Sequence, residues 1–316
     1  MIQVTLTQLS AFVLVARLGT VKAAASALGV SEPAVSQAIA ALRRYLDDPL
    51  LTRSANGMEL TAGGARLLTI AAQMVSLGAE AESAVRTAQG AADRLRLVAP
   101  SPLVEFVTGP LADAFTARSG GSIEVSAGVS ASAEMSALVA QRLADVALGP
   151  DLSSGPGLVS EPVFRARLVV LAAPDARPPG QASQWPWLVD PSATDPGSDV
   201  SRMLRKLGVS EARLSVFPNQ TAAWDAAARG AGVTPAIAHL AVHQLRRREL
   251  QVLDVPGTPL DLCWHVTTLR ADRRSAAAGS LRHFLSTPEA MKLLRAPGAG
   301  VPPSRFRPPV YVTIWS

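Results

Sequence analysis

Cysteine is nearly absent from this chain of 316 residues, which contains only Cys263. One cysteine cannot form an intramolecular disulfide, and the apolar neighbours LDLCWHVTTL predict a buried, unreactive thiol in a strand. The four histidines are scattered; only His239 and His243 share a helix face, and they lack a companion acid. We therefore expect neither a metal site nor a cofactor.

Long apolar runs and an N-terminal export signal are also missing. Although 48% of the residues are hydrophobic, no uninterrupted apolar run is long enough to cross a bilayer. No basic segment is followed by an apolar stretch and a cleavage site. We expect a cytoplasmic protein without membrane association, and the length fits roughly two to three domains.

What the chain does contain is a helix-turn-helix pattern in VKAAASALGVSEPAVSQAIAALRRY, residues 21–45. Two short helices that cross steeply need a small residue at the crossing, a residue that tolerates positive φ at the turn, and an apolar anchor below the second helix. Ala25, Gly29 and Val35 meet these requirements in that order. The second helix of such a unit enters the major groove of DNA.

Hydroxyl residues mark the starts of three helices in this region. Thr5 and Gln8 have capping-box spacing, Thr20 can cap the second helix, and Ser31 can cap the third, with Pro33 in its first turn. The third helix then has one buried stripe, formed by Val35, Ile39, Leu42 and Leu46. Its other faces carry Glu32, Ser36, Gln37 and Arg43, which are candidates to contact DNA.

Two short extended stretches follow in LLTRSANGMELT, around Asn56 and Gly57. This dipeptide suits a two-residue hairpin turn, so the segment predicts a wing, and Arg53 is its candidate for a backbone or minor-groove contact. Each candidate DNA contact has an alternative interpretation as a helix cap or a solvated surface side chain.

These segments resemble the winged helix-turn-helix of LysR-type transcriptional regulators, and weaker echoes of that family continue along the chain. Three positions depart from the usual pattern: Glu32 replaces a common Gln, Asp47 a Gly, and Leu51 a Phe. Asp tolerates a left-handed turn. A carboxylate at position 32 would accept a hydrogen bond from cytosine N4 instead of donating to a purine N7, or would lie away from the bases.

The resemblance implies a domain order, which we state as an expectation. An all-α winged helix-turn-helix DNA-binding domain covers 1–62, and a long linker and dimerisation helix covers 63–90. A two-lobed α/β effector-binding domain, resembling type 2 periplasmic binding proteins, covers 91–296. Lobe I takes about 91–164 and 267–296, lobe II about 165–266, and a Pro/Gly-rich tail covers 297–316.

A strong basic excess is missing from the DNA-binding part. The whole chain has a net charge of +5, but residues 1–90 hold seven basic and six acidic side chains, a net charge of only +1. Because phosphate contacts supply much of the affinity for DNA, one copy should bind weakly. Locally placed donors and the linking of several copies must then supply the rest.

The linker helix offers a means of linking copies. Thr61 can cap it, and its predicted seam alternates steps of four and three residues: Leu67, Ala71, Met74, Gly78, Ala81 and Val85. The alternative is that this stripe packs on its own domain. In the family the helix pairs between subunits, so the resemblance implies a homodimer or homotetramer.

Short strands alternate with helices after residue 93, which predicts a parallel sheet with a ligand at the strand ends. The resemblance implies a small-molecule effector between the lobes. The candidate effector-binding residues at strand-to-helix turns, each alternatively a helix cap, are Ser101, Ser130, Ser132, Gln220 and Thr221. No arginine falls in these turns, which disfavours a strongly anionic effector, although Arg165 or Arg202 could swing in.

We therefore expect a sequence-specific, double-stranded-DNA-binding transcriptional regulator controlled by a small molecule, and not an enzyme. GSDVS and GAGVT match neither a nucleophile elbow nor a phosphate-binding loop. The alternative is a small-molecule sensor whose helix-turn-helix has weak or lost DNA affinity, which Glu32 and the low local charge favour.

Overall fold

A computed structural model describes residues 4–28, 30–54, 57–88, 90–140, 142–155 and 157–295. These residues form two compact units that divide between Asp93 and Arg94, except that residues 142–143 belong to the first unit. Gly29 and the predicted tail lie outside the described residues. Among the helices described, none combines the length and apolar character that spanning a membrane requires.

The first unit contains four helices and a hairpin. In chain order these are α1 (Leu6–Leu18), α2 (Val21–Leu28), α3 (Glu32–Leu46), β1 (Leu51–Ser54), β2 (Gly57–Leu60) and α4 (Ala62–Ala88). The capping box at α1 is confirmed: the Thr5 hydroxyl accepts from the Gln8 N–H at 3.2 Å, and the Gln8 side chain accepts from the Thr5 N–H at 3.0 Å.

The core of the first unit forms where α1, α2 and α3 meet. Ala25 is buried at the helix crossing, and Val35, Ile39 and Leu42 are buried under α3, as predicted. Leu46 is instead exposed, because α3 ends there. Asp47 follows in the left-handed conformation, with φ 52° and ψ 38°, which confirms that aspartate is tolerated at this turn.

The wing is an antiparallel hairpin whose register differs from the predicted one. Ser54 pairs with Gly57 and Leu51 pairs with Leu60. Gly57 is therefore a strand residue, and the two connecting positions are 55 and 56, not Asn56 and Gly57. Both connecting residues lie outside the described part of the chain.

The second unit alternates strands and helices. Its strands are β3 (Asp93–Ala99), β4 (Ile123–Val129), β5 (Val146–Gly149), β6 (Leu158–Ala172), β7 (Trp187–Val189), β8 (Leu214–Val216), β9 (Thr234–Ile237), β10 (Gln251–Leu253) and β11 (Leu260–Leu269). Its helices are α5 (Ser101–Leu103), α6 (Gly109–Arg118), α7 (Ser132–Ala140), α8 (Asp199–Lys206), α9 (Gln220–Ala228), α10 (Val242–Arg246), α11 (Ala276–Leu285) and α12 (Pro288–Arg295). A π-helical segment, Val104–Thr108, joins α5 to α6.

One mixed sheet runs through the second unit in the order β10-β6-β11-β5-β3-β4, with β9 also paired to β6. The predicted parallel pairing is correct for β3 with β5 and for the separate pair β7 and β8. It is wrong for β6 and β11, which are antiparallel to each other and to their other partners. The alternation of strands and helices does not reveal strand direction.

The long strands β6 and β11 pass through two lobes. From the contacts between elements we group β3–β5, α5–α7, α11 and α12 as the first lobe, and β7–β10 and α8–α10 as the second. Phe106 of the first lobe stacks on Trp224 of the second, with ring centroids 5.0 Å apart. Cys263 lies in β11 but is exposed, contrary to prediction. Strand alternation buries its neighbours Leu262 and Trp264 and turns Cys263 outward.

Candidate functional site

The exposed surface at the start of α3, here called the α3 face, is polar. Ser31 caps the helix by accepting from the Ala34 N–H at 3.4 Å. The remaining members of the α3 face are all exposed: Glu32, Pro33, Ser36 and Gln37. Hydroxyl and amide groups can hydrogen-bond to base edges, and a helix N-terminus attracts phosphate. The structure thus brings five predicted DNA-contact residues onto one surface.

Two further predicted DNA contacts lie on other elements. Thr20 is exposed directly before α2, and its carbonyl accepts from the Ala24 N–H at 3.2 Å. Arg53 lies in β1 opposite Met58, and its side chain is outside the described part.

Arg43 ties α3 to the wing. Its Nη2 donates a hydrogen bond to the carbonyl oxygen of Leu51, the first residue of β1, at 2.9 Å. The sequence pattern of α3 predicts Arg43 only as a candidate DNA contact. Its position in the last helical turn, eight residues before Leu51, gave no sign of this positioning role.

Asp48 joins three elements of the first unit. Its Oδ1 accepts from the Leu50 N–H and from the Thr61 hydroxyl, both at 2.7 Å. Thr61 in turn caps α4 by accepting from the Gly64 N–H at 2.9 Å, as predicted. The hydrogen bond from the Leu50 backbone, followed by that from Thr61, lowers the pKa of Asp48 below its ordinary value of 3.8. One carboxylate therefore fixes the end of α3, the start of the wing and the start of α4.

Part of the predicted partner seam of α4 instead packs on its own unit. Ala71 is buried there, and a Cβ on Gly78 would lie 2.8 Å from Leu6 Cδ1 of α1. These two residues therefore serve the packing of their own unit instead of a partner seam. The exposed apolar stripe, here called the α4 stripe, consists of Ile70, Met74, Leu77, Ala81 and Val85.

A narrow cavity lies between the two lobes of the second unit. Its lining is mainly apolar, with Leu103, Leu168, Ile237, Leu262 and Trp264 among its residues. Its volume is about 60 Å³, far below the roughly 300–1,000 Å³ of a typical small-molecule pocket. In this arrangement of the lobes, the space between them is therefore too small for a typical small-molecule ligand.

Glu105 of the π-helical segment reaches across to the N-terminus of α9. Its carboxylate accepts from the Gln220 N–H at 2.9 Å and the Thr221 N–H at 3.0 Å, and also from the Thr221 hydroxyl. Burial raises the pKa of Glu105 above its ordinary value, opposed by these hydrogen bonds, and the nearby Asp190 raises it further. This carboxyl group holds the two lobes together.

Two aspartates of the second lobe contact residues of the first lobe. Asp190 is fully buried and accepts hydrogen bonds from the N–H and the hydroxyl of Ser192; burial raises the pKa of its carboxyl group, opposed by Ser192 and by the nearby Ser101. Asp195 Oδ2 accepts from the Ser132 N–H at the start of α7 at 2.6 Å, and its Oδ1 accepts from the Gly197 N–H at 2.9 Å. Three carboxyl groups thus bridge the closed cleft.

Comparison with known families decides the identity of both units. Residues 6–65 match the bacterial regulatory helix-turn-helix family of LysR proteins, and residues 88–287 match the LysR substrate-binding domain. The chain belongs to the LysR family of transcriptional regulators. It is 33% identical to an uncharacterized HTH-type transcriptional regulator of Mycobacterium tuberculosis, with 98% of this chain and 99% of that protein covered.

Other LysR-type proteins agree over nearly the whole chain. The transcriptional regulator CfxR of Cupriavidus necator is 27% identical, covering 95% of this chain and 97% of CfxR. CbnR, solved in complex with its target DNA, has a TM-score of 0.57 at 18% identity, covering 89% of this chain and 98% of that chain. LysG of Corynebacterium glutamicum, solved with bound effector Arg, has a TM-score of 0.54 at 20% identity, with coverage of 95% and 100%. At these identities the structures establish the fold alone.

In this LysR-type regulator the predicted effector-binding residues lie at or near the cleft. Ser132 and Gln220 line the cavity, and Ser101 is buried near enough to Asp190 to lower the pKa of that carboxyl group. Ser130 is buried, with its hydroxyl on the Ala131 carbonyl at 3.2 Å, and Thr221 binds Glu105. Sequence reasoning missed the three carboxyl groups that these turns already hold.

Neither arginine considered for the cleft lines it: Arg165 borders a groove with His239 and Cys263, and Arg202 pairs with Asp199. Within the described ranges, no group of three or more His, Cys, Asp or Glu side chains is arranged to bind a metal.

Proposed function

We propose that this LysR-type regulator binds double-stranded DNA with the α3 face and Thr20, with Arg53 of the wing as an added contact. The supporting observation is the division of α3 into two sides. Val35, Ile39 and Leu42 anchor one side in the core, which leaves the polar side projecting from the unit. Such a surface is suited to a DNA groove.

The α4 stripe is the proposed contact between subunits, giving a homodimer or homotetramer. Ile70, Leu77 and Val85 are each more than half exposed within one chain, at 55%, 53% and 59%. Apolar residues at this spacing on an uninterrupted 27-residue helix suit pairing with a second long helix. Linking two weak DNA-binding units also offsets the low charge of residues 1–90.

A small-molecule effector is proposed to bind between the lobes, near Ser101, Ser130, Ser132, Gln220 and Thr221. Solved structures of this fold include CbnR with target DNA and LysG with effector Arg, and we extend both properties to this chain. Effector binding would change the angle between the lobes and so reposition the paired DNA-binding units. A coupling of about 1–3 kcal/mol is enough for such control.

The same proposal includes the domain boundaries and cellular location expected from the sequence. DNA-binding, linker, effector-binding and tail segments occupy 1–62, 63–90, 91–296 and 297–316. The protein acts in the cytoplasm and catalyses no reaction, in keeping with relatives that are named as transcriptional regulators.

The test is a gel-shift titration and footprint on DNA upstream of the protein's own gene and of the neighbouring gene. Wild type should protect an inverted repeat, and Gln37→Ala should weaken binding by about 1–3 kcal/mol by removing a base-edge contact. Gln184→Ala, which changes an exposed glutamine of the second unit, is the matched control and should leave binding unchanged.

A sensor without DNA function is the second candidate, favoured by Glu32 at the α3 face and by the net charge of +1 in residues 1–90. If folded wild-type oligomer retards neither DNA at low salt, this second candidate replaces the regulator. Equal affinities of wild type and Gln37→Ala would instead remove Gln37 from the proposed contact surface.

A further inference from the structure

The first turn of α9 has no N–H left for a ligand. The first N–H groups of an α-helix lack helical partners. Here Gln220 and Thr221 donate theirs to Glu105, and Ala222 donates to the side-chain Oδ1 of the N-cap residue Asn219 at 2.8 Å. The chain itself has filled this anion-binding position.

At the start of α7, which faces the same cavity through Ser132, the Ser132 N–H is taken in a similar way. Asp195 uses both carboxylate oxygens, one on the Ser132 N–H and one on the Gly197 N–H. Its residue exposure is only 9%, so the carboxylate is held away from solvent. It therefore lies where the carboxylate of a bound ligand would otherwise meet the N-terminus of α7.

The rest of the lining offers no compensating positive charge. Among the described residues that line the cavity, Asp199 alone is charged, and it pairs with Arg202. An anion in the cavity would meet Asp199 in the lining and Asp195 behind Ser132 and Gly197, without a lysine, arginine or histidine in the lining. Repulsion between like charges is strong where water is excluded.

We propose that Asp195 is a specificity-determining residue that excludes carboxylate effectors from the cleft by occupying the Ser132 N–H. The cleft then takes an uncharged, largely apolar molecule, packed between Leu103 and Trp264 and hydrogen-bonded by the hydroxyls of Ser192 and Ser198. This inference rests on the proposed effector function of the cleft. Asp195 also holds the lobes closed until such a molecule enters.

The first test restores the missing carboxylate from solution. Asp195→Ala removes a group equivalent to acetate, so sodium acetate should raise the melting temperature of this variant, monitored by tryptophan fluorescence. Acetamide, its uncharged analogue, and sodium chloride at equal ionic strength should not. Wild type and Asp199→Ala, in which the position at Ser132 stays filled, should show no acetate effect. Asp195→Ser leaves similar space and takes the place of the alanine variant if that one does not fold.

The second test uses benzoate and benzamide, which share a shape and differ in charge, as calorimetric probes of the full-length protein. Asp195→Ala should bind benzoate about tenfold or more tightly than wild type does, because it exposes a charge-assisting N–H. Benzoate binding to wild type as tight as to Asp195→Ala would overturn the proposal. So would a folded Asp195→Ala variant that acetate does not stabilise.

Gel shifts on the same preparations separate this inference from the proposed function. Acetate rescue in a protein that binds neither upstream DNA supports the role of Asp195 and contradicts the regulator. Normal DNA binding, together with benzoate binding to wild type as tight as to Asp195→Ala, supports the regulator and contradicts the role of Asp195.

Discussion

At the scale of single residues, Glu105 shows how a buried acid can serve structure and remain sensitive to pH. Only 3% of the residue is exposed, and the facing titratable group is Asp190. Because burial raises its pKa in the folded state, the folded protein holds a proton that the unfolded chain releases near pH 4.5. The stability from this group is complete below that pH and is lost as the pH rises through the folded pKa.

We therefore predict that Glu105→Gln flattens the pH dependence of the unfolding free energy above about pH 4.5, the ordinary pKa of this carboxyl group. Four of the five tryptophans, Trp185, Trp187, Trp224 and Trp264, lie among the described residues of the second unit, so denaturant titrations followed by tryptophan fluorescence report mainly on that unit. Asp225→Asn, on an exposed side chain of α9, is the control and should keep the wild-type slope. A slope unchanged by Glu105→Gln would show that Glu105 keeps an ordinary pKa.

The sequence reveals which residues begin helices, but not which distant side chains accept hydrogen bonds from the first N–H groups of those helices. Ser31, Thr61 and the turn residue Asp47 were predicted from local chemistry, and their contacts lie within a few residues. Asp195 and Glu105 meet partners 63 and 115 residues away. Local patterns predict local caps; the acids that cross the cleft become visible only when the lobes are folded together.

At the scale of elements, the junction of α3, the wing and α4 depends on a close backbone approach. A Cβ at Gly64 would lie 2.0 Å from the carbonyl oxygen of Leu50, a contact that no side-chain rotation can relieve. A Cβ on the preceding residue, Gly63, would collide with the Asp48 carboxylate. Two glycines therefore allow α4 to begin beside the wing.

Gly64→Ala should destabilise the first unit by about 1–3 kcal/mol, the typical cost of overpacking. Far-UV circular dichroism during chemical denaturation would detect an earlier loss of helix that tryptophan fluorescence does not follow. Gly109→Ala is the matched control, since a Cβ there meets nothing within 4 Å, and it should be neutral or slightly stabilising. If both alanines behave alike, the close approach at Gly64 does not limit stability.

Helix positions were predicted more accurately than helix surroundings. The sequence periodicity predicted that α4 carries apolar residues at regular spacing. Because α4 has apolar residues on more than one side, the periodicity does not show which side packs against its own unit. Burial of Ala71 and the proximity of Gly78 to Leu6 assign that side. In the same way, β6 and β11 were recognisable as apolar strands, while their antiparallel pairing required the folded sheet.

At the scale of the whole molecule, weak DNA-binding units make assembly decisive. Leu77→Glu places a charge in the α4 stripe and should dissociate the oligomer, as measured by light scattering after gel filtration. DNA affinity should then fall by about 100-fold or more, since one half-site no longer raises the local concentration at the other.

Thr69→Glu tests whether any added charge on α4 has this effect. Thr69 is exposed on the same helix but lies outside the α4 stripe, so this variant should retain both assembly and DNA affinity. An oligomer that survives Leu77→Glu would place the subunit contact elsewhere.

The closed cleft, with only about 60 Å³ of space, also has a consequence for dose response. A ligand that binds only separated lobes has an apparent dissociation constant equal to its intrinsic value divided by the open fraction. Each 1.4 kcal/mol of bridging energy then raises the half-maximal effector concentration about tenfold. The bridging acids would thus set how much metabolite the cell must accumulate before transcription responds.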